Sequence, residues 1–176
     1  NLYKTLLMKH CRCLLLGTLR SGKSTFAKQF YLMNTGAFWE HSHNHFKERI
    51  AANIYLFINT LCKNLNTKEF ESIEKNTKLL SAMHRLESME RDITPAKMFD
   101  VADDIKALWE CDEIQDCYKR RNEFYIIEDN AKYFISQVHK VLERSYIPTD
   151  QDIIHTRQRT TEIVEHHFMK RDKKII

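Results

Sequence analysis

The sequence predicts an α/β P-loop nucleotide-binding domain, incomplete within this chain, that is interrupted by an inserted all-α domain. Three observations support this fold class. A phosphate-binding motif lies at Gly17–Thr25, between an apolar run and a helical pattern. About 110 residues with helical periodicity follow it, and a strand pattern returns only after residue 157. The chain has only three Gly and two Pro in 176 residues, so we expect it to be mostly helical overall.

The phosphate motif indicates a specific chemistry. Residues 17–24 read GTLRSGKS and fit the pattern G-x-x-x-x-G-K-[ST]. Glycines let the backbone approach phosphate oxygens, and the N-terminus of the following helix favours an anion. Lys23 would bind the β- and γ-phosphates, and the Ser24 hydroxyl would ligate Mg²⁺. The alternative is a glycine turn before an ordinary helix, which we disfavour because strand, loop and helix patterns agree.

Composition limits the other function classes. Hydrophobic residues make up 43% and charged residues 30% of the chain, as in soluble globular proteins. The net charge of +4, with both signs interspersed, is too small to indicate a nucleic-acid partner. Five Cys at irregular spacing do not form a disulfide framework and indicate a reducing compartment. Because the chain starts at Asn1 rather than Met, we expect a fragment, with any N-terminal lipidation site lost.

The first elements follow from local patterns. Residues 11–16 (CRCLLL) form an apolar run that predicts a buried strand. A helix is predicted over 25–34, and Gly36 is the residue expected to end it. Residues 39–45 are predicted to be a linker. Its three His, at alternate positions, would meet at a metal only on a strand, so we favour a solvated linker.

The central block is predicted to be helical throughout. Apolar residues recur every three or four positions from Phe46 to Leu65, which predicts one long amphipathic helix closed by Asn66 and Thr67. Residues 67–93 are weakly periodic and predict one short helix near Leu79–Leu86. Further helices are predicted after the Thr94-Pro95 start signal with a buried face from Met98 to Trp109, after Asp112, after Asp129 with a face from Ala131 to Leu142, and after the Thr149–Asp152 capping box.

The end of the chain is predicted to return to β-structure. Thr160–Met169 is predicted to be a strand, residues 172–174 a turn, and Ile175 the start of another strand. These elements divide the chain into the first part of the nucleotide-binding domain, the inserted helical domain, and a truncated return to the nucleotide-binding domain. The predicted boundaries are 1–40, 41–155 and 156–176.

Four stretches also carry a family resemblance. They are residues 14–29 (LLLGxxxSGKSTFxKQ), 105–121 (IKALWxxxxIQxCYxRR), 129–134 (DNAKYF) and 146–165 (YIPTDQDIIxTRxxTTxIVE), where x marks positions that do not carry the resemblance. In order and spacing, the chain resembles the N-terminal half of a heterotrimeric G protein α subunit, as a divergent member. The resemblance implies a Ras-like GTPase domain with an inserted helical domain.

The resemblance implies roles for individual residues. Arg157 falls at the arginine finger, which stabilises charge on the γ-phosphate in the transition state and would be the catalytic residue. Thr160 falls at the switch I threonine that joins Ser24 on Mg²⁺. Asp129 and Asn130 fall at a turn of the helical domain that lies over the nucleotide.

A further segment is implied to line the cleft between the two domains. It contains Ile154, His155 and Thr156, directly before Arg157. The full set of nucleotide-binding residues expected from motif and resemblance is Gly17, Arg20, Ser21, Gly22, Lys23, Ser24, Thr25, Asp129, Asn130, Ile154, His155, Thr156, Arg157 and Thr160.

The resemblance also implies an activity and its partners. Such a protein binds GTP or GDP with Mg²⁺, hydrolyses GTP, and transduces signals from G protein-coupled receptors. Its partners are βγ subunits, a receptor and an effector, and not nucleic acid. It acts in the cytoplasm at the inner face of the plasma membrane, which it reaches through a lipidated N-terminus that this chain lacks.

The sequence departs from the family pattern beside the phosphates. Leu19 stands where the family has a small residue and would crowd the attacking water. Arg20 stands where the family usually has Glu, and would face Arg157 with like charge. Glu162 replaces a usual Gly. The family's D-V-G-G-Q and N-K-x-D stretches do not occur in this chain. We therefore expect slow hydrolysis, and guanine specificity follows from the resemblance alone.

Two other function classes remain open from the residues. One is a P-loop phosphotransferase with a helical lid, which would transfer phosphate to a small acceptor. The other is a non-catalytic helical interaction module with a vestigial P-loop, whose partner binding would not depend on Lys23.

Overall fold

Helices make up most of the structure, as the sequence predicts. The computed structural model describes residues 10–11, 13–18, 21–36, 38, 42–90, 92–123, 130–157, 168–170 and 173–175. The elements are β1 (His10–Cys11), α1 (Lys23–Thr35), α2 (Ser42–Lys63), α3 (Thr67–Glu74), α4 (Thr77–Ser88), α5 (Pro95–Asp100), α6 (Ala102–Glu110), α7 (Asp112–Lys119), a 3₁₀ turn (Arg121–Glu123), α8 (Asn130–Ile135), α9 (Val138–Leu142), α10 (Asp150–His155), β2 (Phe168–Lys170) and β3 (Lys173–Ile175).

Helix α1 begins and ends at glycines. Both Gly22, before its first residue, and Gly36, after its last, have φ of 83°. This left-handed conformation strains residues that carry a Cβ atom, so glycine suits both ends. The amide of Gly36 donates to the carbonyl of Leu32 at 2.8 Å, which satisfies one of the last carbonyls. The predicted end of this helix is confirmed.

Helix α2 lies at the centre of the hydrophobic core. Its residues Ile50, Ile54, Ile58 and Leu61 are all buried, and their spacing of three or four places them on one face. This face packs against α4, α5, α8 and α9. Within the part of the chain that the structure describes, no helix has both the length and the apolarity needed to cross a bilayer.

The long predicted helix is confirmed, but its bounds differ from the prediction. Helix α2 begins at Ser42 and ends at Lys63, so the predicted linker is wrong for residues 42–45. Asn66 does not close α2. Instead its side-chain oxygen accepts from the amide of Glu69 at 3.0 Å and begins α3 with a capping box.

Local capping divides segments that periodicity alone joins. Residues 67–93 contain α3 and α4, not one helix, because the Asn76 side chain accepts from the amides of Lys78 and Leu79. The apolar face predicted after Thr94 is divided between α5 and α6, and the one predicted after residue 130 between α8 and α9. Thr94 caps α5 as predicted.

The three short strands form one sheet in the order β1-β3-β2. β1 pairs in parallel with β3, with His10 opposite Lys174, and β2 pairs antiparallel with β3, with Phe168 opposite Ile175. The strand predicted over 11–16 is wrong for residues 13–16, because residues 13–18 have no regular structure. Leu14 and Leu16 are 77% and 81% exposed rather than buried.

The second strand region agrees with the sequence only in part. Phe168 and Met169 lie in β2, at the end of the predicted strand, whereas residues 160–167 lie outside the described part of the chain. Lys173 and Lys174 belong to β3, so the turn predicted over 172–174 is wrong at these two residues.

Candidate nucleotide-binding site

A tight loop precedes helix α1. The amide of Ser21 donates to the carbonyl of Thr18 at 3.3 Å, which turns the chain back on itself. A Cβ atom added at Gly17 would lie 2.6 Å from Ser21 Oγ, so a side chain at this position would force the Ser21 hydroxyl to rotate away. Gly22 then takes the left-handed conformation that leads into the helix. Both glycines of the motif are thus explained, Gly17 by close approach and Gly22 by backbone conformation.

The amine of Lys23 lies across this loop. Its Nζ donates to the carbonyls of Gly17 at 2.8 Å and Thr18 at 2.6 Å, and to Ser21 Oγ at 3.2 Å. The three acceptors belong to the loop that the motif assigns to phosphate. The side chain therefore holds a positive charge against the loop, and this charge would stabilise a bound anion.

The N-terminus of α1 faces the same loop. The first intrahelical bond runs from the amide of Phe26 to the carbonyl of Gly22 at 2.9 Å. Because Gly22 is the N-cap residue, no side chain caps the helix, and its first turn contains no acidic residue. The partial positive charge of a 13-residue helix is therefore not opposed by a carboxylate from its own first turn. Such an end favours a phosphate group.

The second group of predicted site residues lies on and after helix α10. Thr149 caps this helix, its Oγ1 accepting from the amide of Asp152 at 3.2 Å, and the predicted capping box is confirmed. Ile154 and His155 are half-buried in its last turn. Thr156 is buried, and its hydroxyl donates to the carbonyl of Asp152 at 2.7 Å. The chain leaves the helix at Arg157.

Asp152 fixes the orientation of α10. Its side chain is 1% exposed. Oδ1 accepts from Tyr133 Oη at 2.8 Å, and Oδ2 accepts from the Thr149 amide at 2.7 Å, from Thr149 Oγ1 at 2.5 Å and from Tyr146 Oη. Burial opposes ionisation of this carboxyl, but the hydrogen bonds from Thr149, Tyr146 and Tyr133 outweigh it and lower its pKa.

Helices α8 and α10 are joined through an aromatic contact. The ring of Tyr133 stacks on His155 with centroids 4.1 Å apart, and the side-chain Nε2 of Gln151 lies within hydrogen-bond distance, 2.9 Å, of His155 Nε2. Asn130 is the first residue of α8 and is half-buried. Asn130 and His155 thus belong to one packed unit of two helices.

Lys28 on α1 joins the loop group to the α10 group. Its Nζ donates to the carbonyls of Ile153 at 2.9 Å and Thr156 at 2.6 Å. The next carbonyl along the chain, that of Arg157, accepts a hydrogen bond from Asn53 Nδ2 of helix α2 at 3.2 Å. Burial, with a smaller effect of the nearby Arg49 charge, lowers the pKa of Lys28 to about 8.

Sequence reasoning did not single out Lys28, Asn53, Tyr133 or Tyr146 as site residues. Of these four, Lys28 is the one whose residue type could have drawn attention, because it is a charged residue among the apolar residues of α1. The partners of Lys28 and Asn53 are backbone carbonyls, which every residue possesses, so no residue type marks them.

Several predicted residues fall outside the described part of the chain. They are Leu19, Arg20, Asp129, Thr160 and Glu162, and their roles stay predictions. Ser24 is the second residue of α1 and is exposed. In the described residues, no group of three or more His, Cys, Asp or Glu could bind a metal ion. The predicted Mg²⁺ site differs, because its ligands would be the hydroxyls of Ser24 and Thr160 and phosphate oxygens. The absence of a His, Cys, Asp or Glu cluster therefore does not test this prediction.

One comparison with known proteins matches nearly the whole chain. A family model described as "G-protein alpha subunit" matches residues 3–176. The match includes the loop, the helical region and the strands that follow it.

Proposed function

The chain belongs to the G-protein alpha subunit family, and from this premise we propose that it binds GTP and GDP at residues 17–25 and hydrolyses GTP. Members of this family are α subunits of heterotrimeric G proteins and are in general GTPases. The observation that carries the proposal is the loop itself. The Lys23 amine and the uncapped end of α1 converge on one short, glycine-bounded turn.

The remaining site residues are proposed from their positions. Arg157 would supply the positive charge that stabilises the γ-phosphate during transfer to water. Mg²⁺, when bound, neutralises charge on the phosphates, and the hydroxyls of Ser24 and Thr160 suit its preference for oxygen ligands. Asn130, with its neighbour Asp129, would lie over the nucleotide.

The domain organisation is part of the proposal. Residues 1–40 and 156–176 would belong to the GTPase domain and 41–155 to the helical domain. The buried core runs from Ile50 on α2 to Leu142 on α9, which supports a helical unit with a core of its own.

Slow hydrolysis is the finer proposal. A branched side chain at Leu19 takes space needed by the attacking water, and Arg20 would repel Arg157. Both effects act on the transition state and leave the phosphate-binding loop intact, so we propose that binding is preserved while turnover is reduced.

The partners and location follow from the family alone. We propose βγ subunits, a G protein-coupled receptor and an effector as partners. We place the protein in the cytoplasm at the inner face of the plasma membrane, held there by a lipidated N-terminus.

Binding of a fluorescent GDP analogue to the full-length protein tests the central proposal. Lys23→Ala removes a charged hydrogen-bond donor, worth about 1.5–3 kcal/mol, and should weaken binding about 10- to 100-fold. Lys47→Ala is the matched control, because Lys47 donates to the carbonyl of Arg144 at 2.6 Å, away from the loop. Equal affinity of wild type and Lys23→Ala would favour the non-catalytic helical module. Phosphate transfer to a small acceptor would favour a phosphotransferase.

A further inference from the structure

We infer that Lys28 and Asn53 are positioning residues for Arg157. Together they bind three backbone carbonyls, those of Ile153, Thr156 and Arg157, and we call this arrangement the carbonyl clamp. The clamp keeps the arginine in register with the phosphate-binding loop. The inference rests on the proposed function, since it assigns a role to residues that act through Arg157.

The Lys28 side of the clamp satisfies the end of α10. The last carbonyls of a helix have no intrahelical donor and need another partner. The Lys28 ammonium reaches two of the carbonyls around this end, at 2.9 Å for Ile153 and 2.6 Å for Thr156. Thr156 is the residue directly before Arg157, so the bond acts one peptide unit away from the proposed finger.

The same lysine is rigidly connected to the phosphate loop. Lys28 follows Lys23 by five residues in an unbroken helix, which places the two about 7.5 Å apart along the helix axis at 1.5 Å per residue. A displacement of α1 would therefore displace the segment before Arg157, and a displacement of that segment would displace α1. The phosphate loop and the segment before Arg157 are thus connected by a helix and two hydrogen bonds, with no flexible segment between them.

The Asn53 side of the clamp connects to the hydrophobic core. Asn53 lies on α2 between Ile50 and Ile54, which are both buried, so its backbone is held by core packing. Its amide donates to the carbonyl of Arg157 itself. The backbone around the finger is thus bound by two different helices, α1 of the loop and α2 of the core. Two independent anchors define a position better than one.

The environment of Lys28 is consistent with a functional constraint. Its ammonium lies 5.2 Å from the centre of the Phe46 ring and is partly buried. Burial and the Arg49 charge lower the pKa of this lysine, so the charged form is disfavoured at this position. A methionine of similar length would avoid that cost. A positioning role would account for a lysine at this position.

Single-turnover GTP hydrolysis by the full-length protein tests the inference. Lys28→Met removes the donor and keeps the length of the side chain. A displacement of about 1 Å at a reacting group can lower a rate about 100-fold, so we expect hydrolysis to fall 10- to 100-fold and affinity for the GDP analogue to change less than about threefold. Asn53→Ala should lower hydrolysis by a smaller factor. Lys28→Arg, which keeps charge and donors, should restore most of the rate.

A double variant separates positioning from general damage. If Lys28 acts only through Arg157, adding Lys28→Met to Arg157→Ala should lower the rate less than about twofold further. Lys47→Met is the control and should leave hydrolysis unchanged. Lys47 lies on α2, and its bond to the carbonyl of Arg144 has the same length, 2.6 Å, as the bond from Lys28 to Thr156.

The outcomes distinguish this inference from the proposed function. If the wild-type protein neither binds nor hydrolyses the nucleotide, both the proposed function and the carbonyl clamp are overturned. Normal hydrolysis by Lys28→Met, or reductions that multiply in the double variant, would overturn the clamp and leave the proposed function standing. If Lys28→Met does not fold, Asn53→Ala decides, and a wild-type rate in that variant would also overturn the clamp.

Discussion

Replacement of Asp152 by Asn tests the role of the buried carboxylate in the first turn of α10. The carboxylate accepts hydrogen bonds from Thr149, Tyr133 and Tyr146. In Asp152→Asn, the amide NH₂ can face Tyr133, whose hydroxyl can accept, while the amide oxygen still accepts from Thr149 and Tyr146. The substitution therefore keeps the shape of the cluster and removes its charge.

The magnitude follows from the number of bonds to Oδ2. Three donors meet this oxygen, namely the Thr149 amide, the Thr149 hydroxyl and the Tyr146 hydroxyl. A hydrogen bond to a charged group contributes about 1 kcal/mol more than a neutral one. Burial of the charge offsets part of this gain. We therefore expect the free energy of unfolding to fall by about 1–2 kcal/mol, which corresponds to a drop in Tm of about 2–8 °C for a chain of this size.

Urea and thermal unfolding, followed by circular dichroism, measure this change. Asp103→Asn is the matched control, because the Asp103 side chain is 97% exposed, and it should change stability by less than about 0.5 kcal/mol. The folded-state pKa of Asp152 lies below its ordinary value. The carboxylate's contribution is therefore present above pH 4 and is lost as pH falls through the folded pKa. A loss below about 0.5 kcal/mol at pH 7, or no convergence of the wild type and Asp152→Asn in acid, would refute the reasoning.

Two further predictions follow from pKa values. Because the pKa of Lys28 is lowered from 10.5 to about 8, the unfolded chain binds more protons between these values, and Lys28 adds about 2 kcal/mol of stability as pH rises from 8 to 10. Urea unfolding of wild type and Lys28→Met isolates this effect from other groups, and parallel pH profiles would contradict it. Burial raises the pKa of the Cys117 thiol to about 11, so iodoacetamide at pH 8 should label exposed Cys13 and spare Cys117 until urea is added. Mass spectrometry reads the sites, and rapid labelling of Cys117 in the folded protein would show that it is accessible.

Patterns confined to a few neighbouring residues predicted this structure well. Gly36 at the end of α1, Thr94 before α5 and the Thr149–Asp152 capping box all lie where the sequence places them. Their partners are three or four residues away, so the signal and the interaction occupy one short segment. Gly22 belongs to the same class, because its left-handed conformation before α1 is a property of that single residue.

Patterns that depend on burial were less reliable. The apolar run at Leu14–Leu16 predicts a buried strand, yet the ladder with β3 ends at Cys11 and these leucines are largely exposed. An apolar run shows that a segment can be buried, whereas burial itself needs a second surface to cover it. The division of one predicted helix into α8 and α9 has a different cause, because their apolar residues are buried and the apolar spacing continues across a break in hydrogen bonding.

The sequence by itself determined that this chain has a phosphate-binding motif, a long helical block and the motifs of its family. Each is written in residue types at short spacing. Only the tertiary structure decided how the loop connects to Arg157. Lys28 and Ile153 are separated by 125 positions, and the atom that lysine binds is a carbonyl oxygen. Every residue carries such an oxygen, so this contact leaves no trace in the sequence and exists only once the helices have packed.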